Sequence, residues 1–171
     1  MKVVYNEAQK RHYPKNFVSN GVVTQNPEMP ERADRLFAAA LDLGLEHDLT
    51  VDQGLAGISA VHAPEYIEFL TGAHERWSHR KGASPEVIPN VQPARNAPAY
   101  PRSVDGQAGY HMADTACPIS AETWDAVKLS ASTAVQATAH VLAGEPSVYA
   151  LCRPPGHHAF ADMAGGFCYV N

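Results

Sequence analysis

Cysteine is scarce in this 171-residue chain. Cys117, Cys152 and Cys168 are odd in number and none stand in CxxC spacing. Neither a disulfide framework nor a cysteine–zinc site is suggested, and the usage fits a reducing, cytoplasmic setting. No run of about 18 apolar residues occurs, which disfavours a membrane span. The opening MKVVYNEAQKR turns polar after Tyr5 and lacks the apolar stretch of a signal peptide. A GxxxxGK(S/T) phosphate loop is missing, which disfavours a nucleotide hydrolase, and no GxSxG motif supports serine catalysis. There is no HxxxH or Asp-x-His array, no internal repeat and no low-complexity tract. Basic residues are outnumbered, 13 Lys and Arg against 18 Asp and Glu, for a net charge of −5. That balance argues against a nucleic-acid-binding surface and for tolerance of cationic ligands.

What is present is ordinary globular material: 45% hydrophobic and 18% charged residues, in a length that supports one domain with a sizeable core. Residues 2–6, with Val3, Val4 and Tyr5, read as a first buried strand. Residues 7–29 show no period and read as loop. Over residues 30–43, Ala33, Leu36, Phe37, Ala40 and Leu41 recur at helical spacing, with Pro30 at the entry and Gly44 just past the end. A weak strand is expected within residues 50–58, and a second helix over residues 64–77, entered at Pro64. Residues 78–111 carry Pro85, Pro89, Pro93, Pro98 and Pro101, too many for a long helix or a central strand. This long proline-rich loop is read as a lid, binding loop or interaction arm, with Tyr100, Asp105 and Tyr110 as contact residues. Ser120 is expected to cap a helix over residues 121–143, buried along Trp124, Val127, Ala131, Ala134, Val135, Thr138, Val141 and Leu142. Residues 147–152 are apolar at nearly every position, as in a parallel strand buried on both faces. The pattern implies an α/β fold, a parallel sheet with helices on both faces. Two convincing strands are too few for such a sheet, so the chain reads as the amino-terminal part of a longer single domain, incomplete at its carboxyl end.

The stretch that carries chemistry is ALCRPPGHHAFADMAGGFCYVN, residues 150–171. A buried strand runs into Arg153-Pro154-Pro155-Gly156 and then delivers His157 and His158, the layout of a site at the carboxyl end of an α/β sheet. With nine histidines, an adjacent pair arises readily by chance, so the setting carries the weight. Imidazole titrates near neutral pH, and two adjacent rings oppose each other's protonation, as an acid–base pair requires. Only Asp162 lies close enough in sequence to join them around a metal, where a catalytic zinc wants three ligands. The pair therefore reads as bases beside a site rather than as ligands. The competing reading is two solvated or core-satisfied histidines. His12, His47, His62, His74, His79, His111 and His140 are read as structural.

RPPGHHA followed by GGFCYVN resembles the histone deacetylase and acetylpolyamine amidohydrolase family. PERADRL at residues 30–36, VHAPEYIEFL at residues 61–70 and the segment DGQAGYHMADTACPIS before ETWDAV are similar to further family segments. The last of these looks more like acetylpolyamine amidohydrolases than like eukaryotic histone deacetylases. The resemblance implies the arginase–deacetylase fold and zinc-dependent hydrolysis of acetyl-amides, most simply of acetylpolyamines, with acetyl-lysine in proteins as the alternative substrate. It implies His158 as general base, His157 as its electrostatic partner, Gly166 as a carbonyl contact to substrate and Phe167 as a tunnel wall. Arg32 would lie behind the site, and Asp105 and Asp114 would meet a cationic substrate. Zinc, and a structural K⁺ ion, are the implied metals, with a homodimer through the 78–111 loop. The family's metal ligands and its oxyanion tyrosine lie downstream of the matched region. No metal ligand is expected in this chain, so 171 residues alone should be inactive, and a truncated homologue acting as a binding module is the rival reading.

Overall fold

The computed structural model describes residues 1–93 and 99–171; Pro98 of the proline-rich loop lies outside the described residues. Its centre is β1 (Lys2–Tyr5), where Val3, Val4 and Tyr5 are at most 1% exposed. β1 pairs in parallel with β4 (Glu46–Leu49) on one side and with β5 (Val148–Ala150) on the other. Alternation along β1 sends Val3 and Tyr5 into a core with Ala33, Leu36, Phe37 and Ala40 of α1 (Glu31–Asp42). Val4 faces the other way, and α5 (Thr123–Leu142) packs across the sheet and β5. Helices thus cover both faces, as the sequence implied.

A second, larger core lies beside the sheet. It joins Tyr66, Phe69, Leu70, Ala73 and Trp77 of α3 (Pro64–Ser78) to Val104 and Ala108 of α4 (Val104–His111), and to Ile119, Ala164 and Tyr169. The Tyr66 hydroxyl donates to Tyr169 O at 2.6 Å, and the Tyr169 hydroxyl to Pro118 O at 2.6 Å. Those two bonds tie the carboxyl-terminal segment to both α3 and the 112–120 loop. Among the described residues, no helix is long and apolar enough to cross a membrane.

Several expectations are corrected. Residues 7–29 are not simply loop: a 3-10 turn spans Glu7–Arg11, and β2 (Asn16–Ser19) and β3 (Val22–Gln25) form an antiparallel hairpin. Its turn is Asn20-Gly21, with φ of 52° and 77°, the left-handed pair that a two-residue hairpin needs. The weak strand expected in residues 50–58 is displaced: β4 ends at Leu49, and Ala56–Val61 is a short helix, α2. The 78–111 loop ends in α4, whose Gly109 lies so close to the loop that an added Cβ would sit 1.5 Å from Val91 O. Ser120 is not the cap of α5; Glu122 is the N-cap, and Thr123 Oγ1 accepts from Ser120 N at 2.8 Å.

The buried face of α5 is also different. Thr123, Ala126, Val127, Ser130, Thr133 and Ala137 point inward, while Val135, Val141 and Leu142 are exposed. The hydroxyls can be buried because each has a partner: Ser130 Oγ donates to Pro154 O at 2.7 Å and Thr133 Oγ1 to Leu129 O at 2.8 Å. β5 is shorter than expected and half-buried, and among the described residues it stands at one end of the sheet order β4-β1-β5.

Candidate active site

The site grows from the end of β5. Leu151 N still bonds to Val4 O at 3.1 Å, and the chain then enters Arg153 and the two prolines. Arg153 points into the protein and is 1% exposed. Gly156 follows because the chain approaches residue 170 there: an added Cβ would lie 2.2 Å from Val170 O and 3.2 Å from Val170 C. These are backbone atoms that cannot rotate away. Gly156→Ala is therefore expected to cost about 1–3 kcal/mol of stability, read as a lowered urea midpoint. An unchanged midpoint would mean that the two segments separate freely.

Past Gly156 the chain turns, Ala159 N bonding to Gly156 O at 2.9 Å, and both histidines emerge at the surface. The His157 and His158 rings lie 4.3 Å apart between centroids, inclined at 54°. Opposite them, Gly165 and Cys168 exchange backbone hydrogen bonds of 3.0 and 2.9 Å around a turn of Gly166 and Phe167. Both turn residues have positive φ, 54° and 67°. For a bulky side chain such as Phe167 that conformation is uncommon and needs support. Support comes from Asp114: its Oδ2 accepts from Gly166 N at 2.9 Å, and its Oδ1 from Ala116 N at 2.8 Å. Gly166 seats against His158, where an added Cβ would be 2.8 Å from the ring's Cδ2. Phe167 is half-buried, its ring centroid 5.8 Å from that of Phe17 on β2.

The fold thus gathers His157, His158, Gly166, Phe167 and Asp114. Asp105 is placed elsewhere, in the first turn of α4, where it forms an ion pair with Arg80 at 2.5 Å. Arg32 is largely exposed and lines a cleft of about 400 Å³ together with Ser130, Gly156 and His157, behind the histidine loop. Of the other histidines, His12, His47, His62, His74, His111 and His140 each make a hydrogen bond within the fold and so help to hold the frame together. Among the described residues, no three of His, Cys, Asp and Glu converge as a group able to hold a metal ion.

Sequence reasoning missed two residues at the base of the site, Gln9 and Glu28. Both are buried, and both bind Arg153. Burial pushes the Glu28 carboxyl up, against the pull of the Arg153 guanidinium. An arginine that ends an apolar strand needs a buried acceptor, but nothing local in the sequence says that a residue 125 positions away supplies it.

Comparisons with known proteins bear on the family and the fold. Residues 26–171 match the histone deacetylase domain. The chain is 41% identical over its whole length to an acetylpolyamine amidohydrolase of Burkholderia pseudomallei, and 35% identical to acetylpolyamine amidohydrolase 2 of Pseudomonas aeruginosa. In each case it spans 50% of the relative's length. A crystal structure of acetylpolyamine aminohydrolase from Burkholderia pseudomallei superposes with a TM-score of 0.94 at 42% identity, covering 100% of this chain and 50% of that one. The HDA15 HD domain shares the fold at a TM-score of 0.66 and 18% identity, over 99% of this chain and 40% of that one. The parallel sheet flanked by helices is that of the arginase–deacetylase fold, and the chain belongs to the histone deacetylase family.

Proposed function

We propose that this chain supplies the acid–base half of a zinc-dependent amidohydrolase that removes acetyl groups from small cationic amines of the polyamine class. The observation that carries the reading is the exposed His157–His158 pair, 4.3 Å apart at the carboxyl end of β5 and backed by Gly166. Of two rings this close, one is placed to take a proton and the other to steady the charge that results. His158, against Gly166, is the general base that takes the proton of the attacking water and returns it to the leaving amine. His157 is its electrostatic partner. The Phe167 ring, packed on Phe17 with centroids 5.8 Å apart, offers an apolar face to the acyl-amine stem. The Gly166 carbonyl, 3.5 Å from the Cys168 thiol, keeps a lone pair for a substrate N–H. Asp114, which accepts from Gly166 N, leaves negative charge beside that turn, which suits a cationic tail.

The described residues do not by themselves fit a zinc site, and the roles above are those of this chain's own side chains. Support for the acetylpolyamine assignment comes from the whole-chain similarity to acetylpolyamine amidohydrolases. It is tested by steady-state kinetics on acetylputrescine and on an acetyl-lysine peptide, with protein expressed from its complete reading frame. A kcat/KM at least about tenfold higher on acetylputrescine is expected, the scale of discrimination that one well-placed contact gives. Preference for the peptide would overturn the substrate class, and hydrolysis of neither would overturn the enzyme reading.

A further inference from the structure

The two histidines are exposed, so their placement is set by the backbone that carries them. That backbone is anchored where it leaves β5, at Arg153. Its Nε donates to Glu28 Oε1 at 3.0 Å and its Nη2 to Glu28 Oε2 at 2.8 Å, a two-pronged fork, while Nη1 donates to Gln9 O at 2.9 Å. The Arg153 backbone N–H donates to Gln9 Oε1 at 2.6 Å. Gln9 is held in turn by Thr133 of α5, its Nε2 donating to Thr133 Oγ1 at 3.0 Å. The next residue along is pinned as well, because Pro154 O accepts from Ser130 of the same helix. Pro154 and Pro155 each fix φ, so an anchor at 153 is transmitted to 157 with few free torsions between.

Stability does not explain why such an anchor is ionic. A buried ion pair loses much of its Coulomb gain to desolvation, and apolar replacements of similar volume are commonly neutral or stabilising. What the fork adds is direction: a planar guanidinium bound by both carboxylate oxygens has one orientation, and an apolar pair has none. We infer that Glu28, acting through Arg153, is a positioning residue that sets the geometry of the His157–His158 pair; this rests on the reading of those histidines as the acid–base groups.

The test compares three proteins expressed from the complete reading frame: wild type, the apolar double variant Glu28→Leu/Arg153→Met, and Arg153→Lys, which keeps the charge but lacks the fork. The double variant is expected to melt close to the wild-type temperature yet lose about 10²-fold in kcat with KM little changed, the scale of an ångström-sized misplacement. Arg153→Lys, whose buried charge remains paired, is expected to fold and to lose kcat in the same direction. Imidazole NMR of His157 and His158 reads the geometry without any assay: the inter-ring NOE of the wild type weakens in both variants. Wild-type kcat in either folded variant, or an unchanged inter-ring NOE, overturns the inference. Should the double variant not fold, Arg153→Lys alone decides on the same criteria. A wild type that hydrolyses nothing while both variants still lose the NOE would reject the proposed function and leave the positioning role intact.

Discussion

Replacing His158 by alanine is expected to lower turnover on the acetylated amine by at least about 10²-fold, within the range that a positioned general base contributes. The metal content of the purified protein should not change. Both expectations come from where the ring sits. It is exposed, packed against Gly166 and 4.3 Å from His157, and it belongs to no group of three metal-ligand side chains among the described residues. His111 makes the contrast plain. It is 1% exposed, its Nδ1–H donates to Asp162 O at 2.7 Å and its Nε2 accepts from the Tyr100 hydroxyl at 2.6 Å. Its two nitrogens are spent on the fold, whereas His158 presents its ring at the surface. Loss of metal from the His158→Ala protein, measured by elemental analysis, would make His158 a ligand and reverse the division of roles. Turnover within a few-fold of wild type would remove it from the chemistry.

The elements legible in the sequence were those with a strong period and a punctuating residue. α1 and α3 show helical spacing, and Pro30 and Pro64 mark their entries within a residue. β1 was legible because three adjacent apolar residues had to be covered on both faces. β4 was not, since its sequence Glu-His-Asp-Leu carries no apolar pattern; it is an edge strand held by register to β1. The β2–β3 hairpin carries its signal in Asn20-Gly21, flanked by Val18-Ser19 and Val22-Val23, but the polar residues around it mask the alternation. The buried face of α5 departs from its hydrophobic stripe for a physical reason. Hydrophobicity alone picks the stripe through Val135 and Leu142, but burial followed hydrogen-bond satisfaction, and the inward hydroxyls of Ser130 and Thr133 anchor other segments.

The site divides the same way. The histidine pair, Gly166 and Phe167 could be named because they are contiguous with a strand end and a glycine turn. The Asp114 contact with Gly166 N spans 52 residues and the Arg153–Glu28 fork spans 125, and such pairings are decided only by tertiary packing.

The same buried polar cluster makes acid stability a sharp observable. His12 is 1% exposed, its Nδ1 lies 3.0 Å from Thr123 Oγ1, and its ring meets the edge of Tyr169 at 5.1 Å. Burial drives its pKa down to about 3, and the nearby Arg153 guanidinium adds to the effect. Glu28 Oε2, at 3.9 Å from Nε2, is already engaged by Arg153 and does not reverse it. An unfolded chain has no such environment, and its histidine titrates near an ordinary value of about 6.5. As pH falls below that value the unfolded state takes up a proton that the native state refuses. The stability contributed by neutral, buried His12 is complete above about pH 6.5 and drains away towards pH 3, at up to about 1.4 kcal/mol per pH unit. Between pH 6.5 and 5, above the range where most carboxylates titrate, His12 should account for a loss of roughly 1–2 kcal/mol. Urea unfolding at a series of pH values measures this slope. His12→Gln keeps a polar partner for Thr123 but cannot titrate, so it should be less stable at pH 7 and flatter in this window. An equal slope in both proteins would show that His12 accepts its proton in the native state. The Arg153–Glu28 anchor would then sit beside a second cation, and its geometry would itself depend on pH.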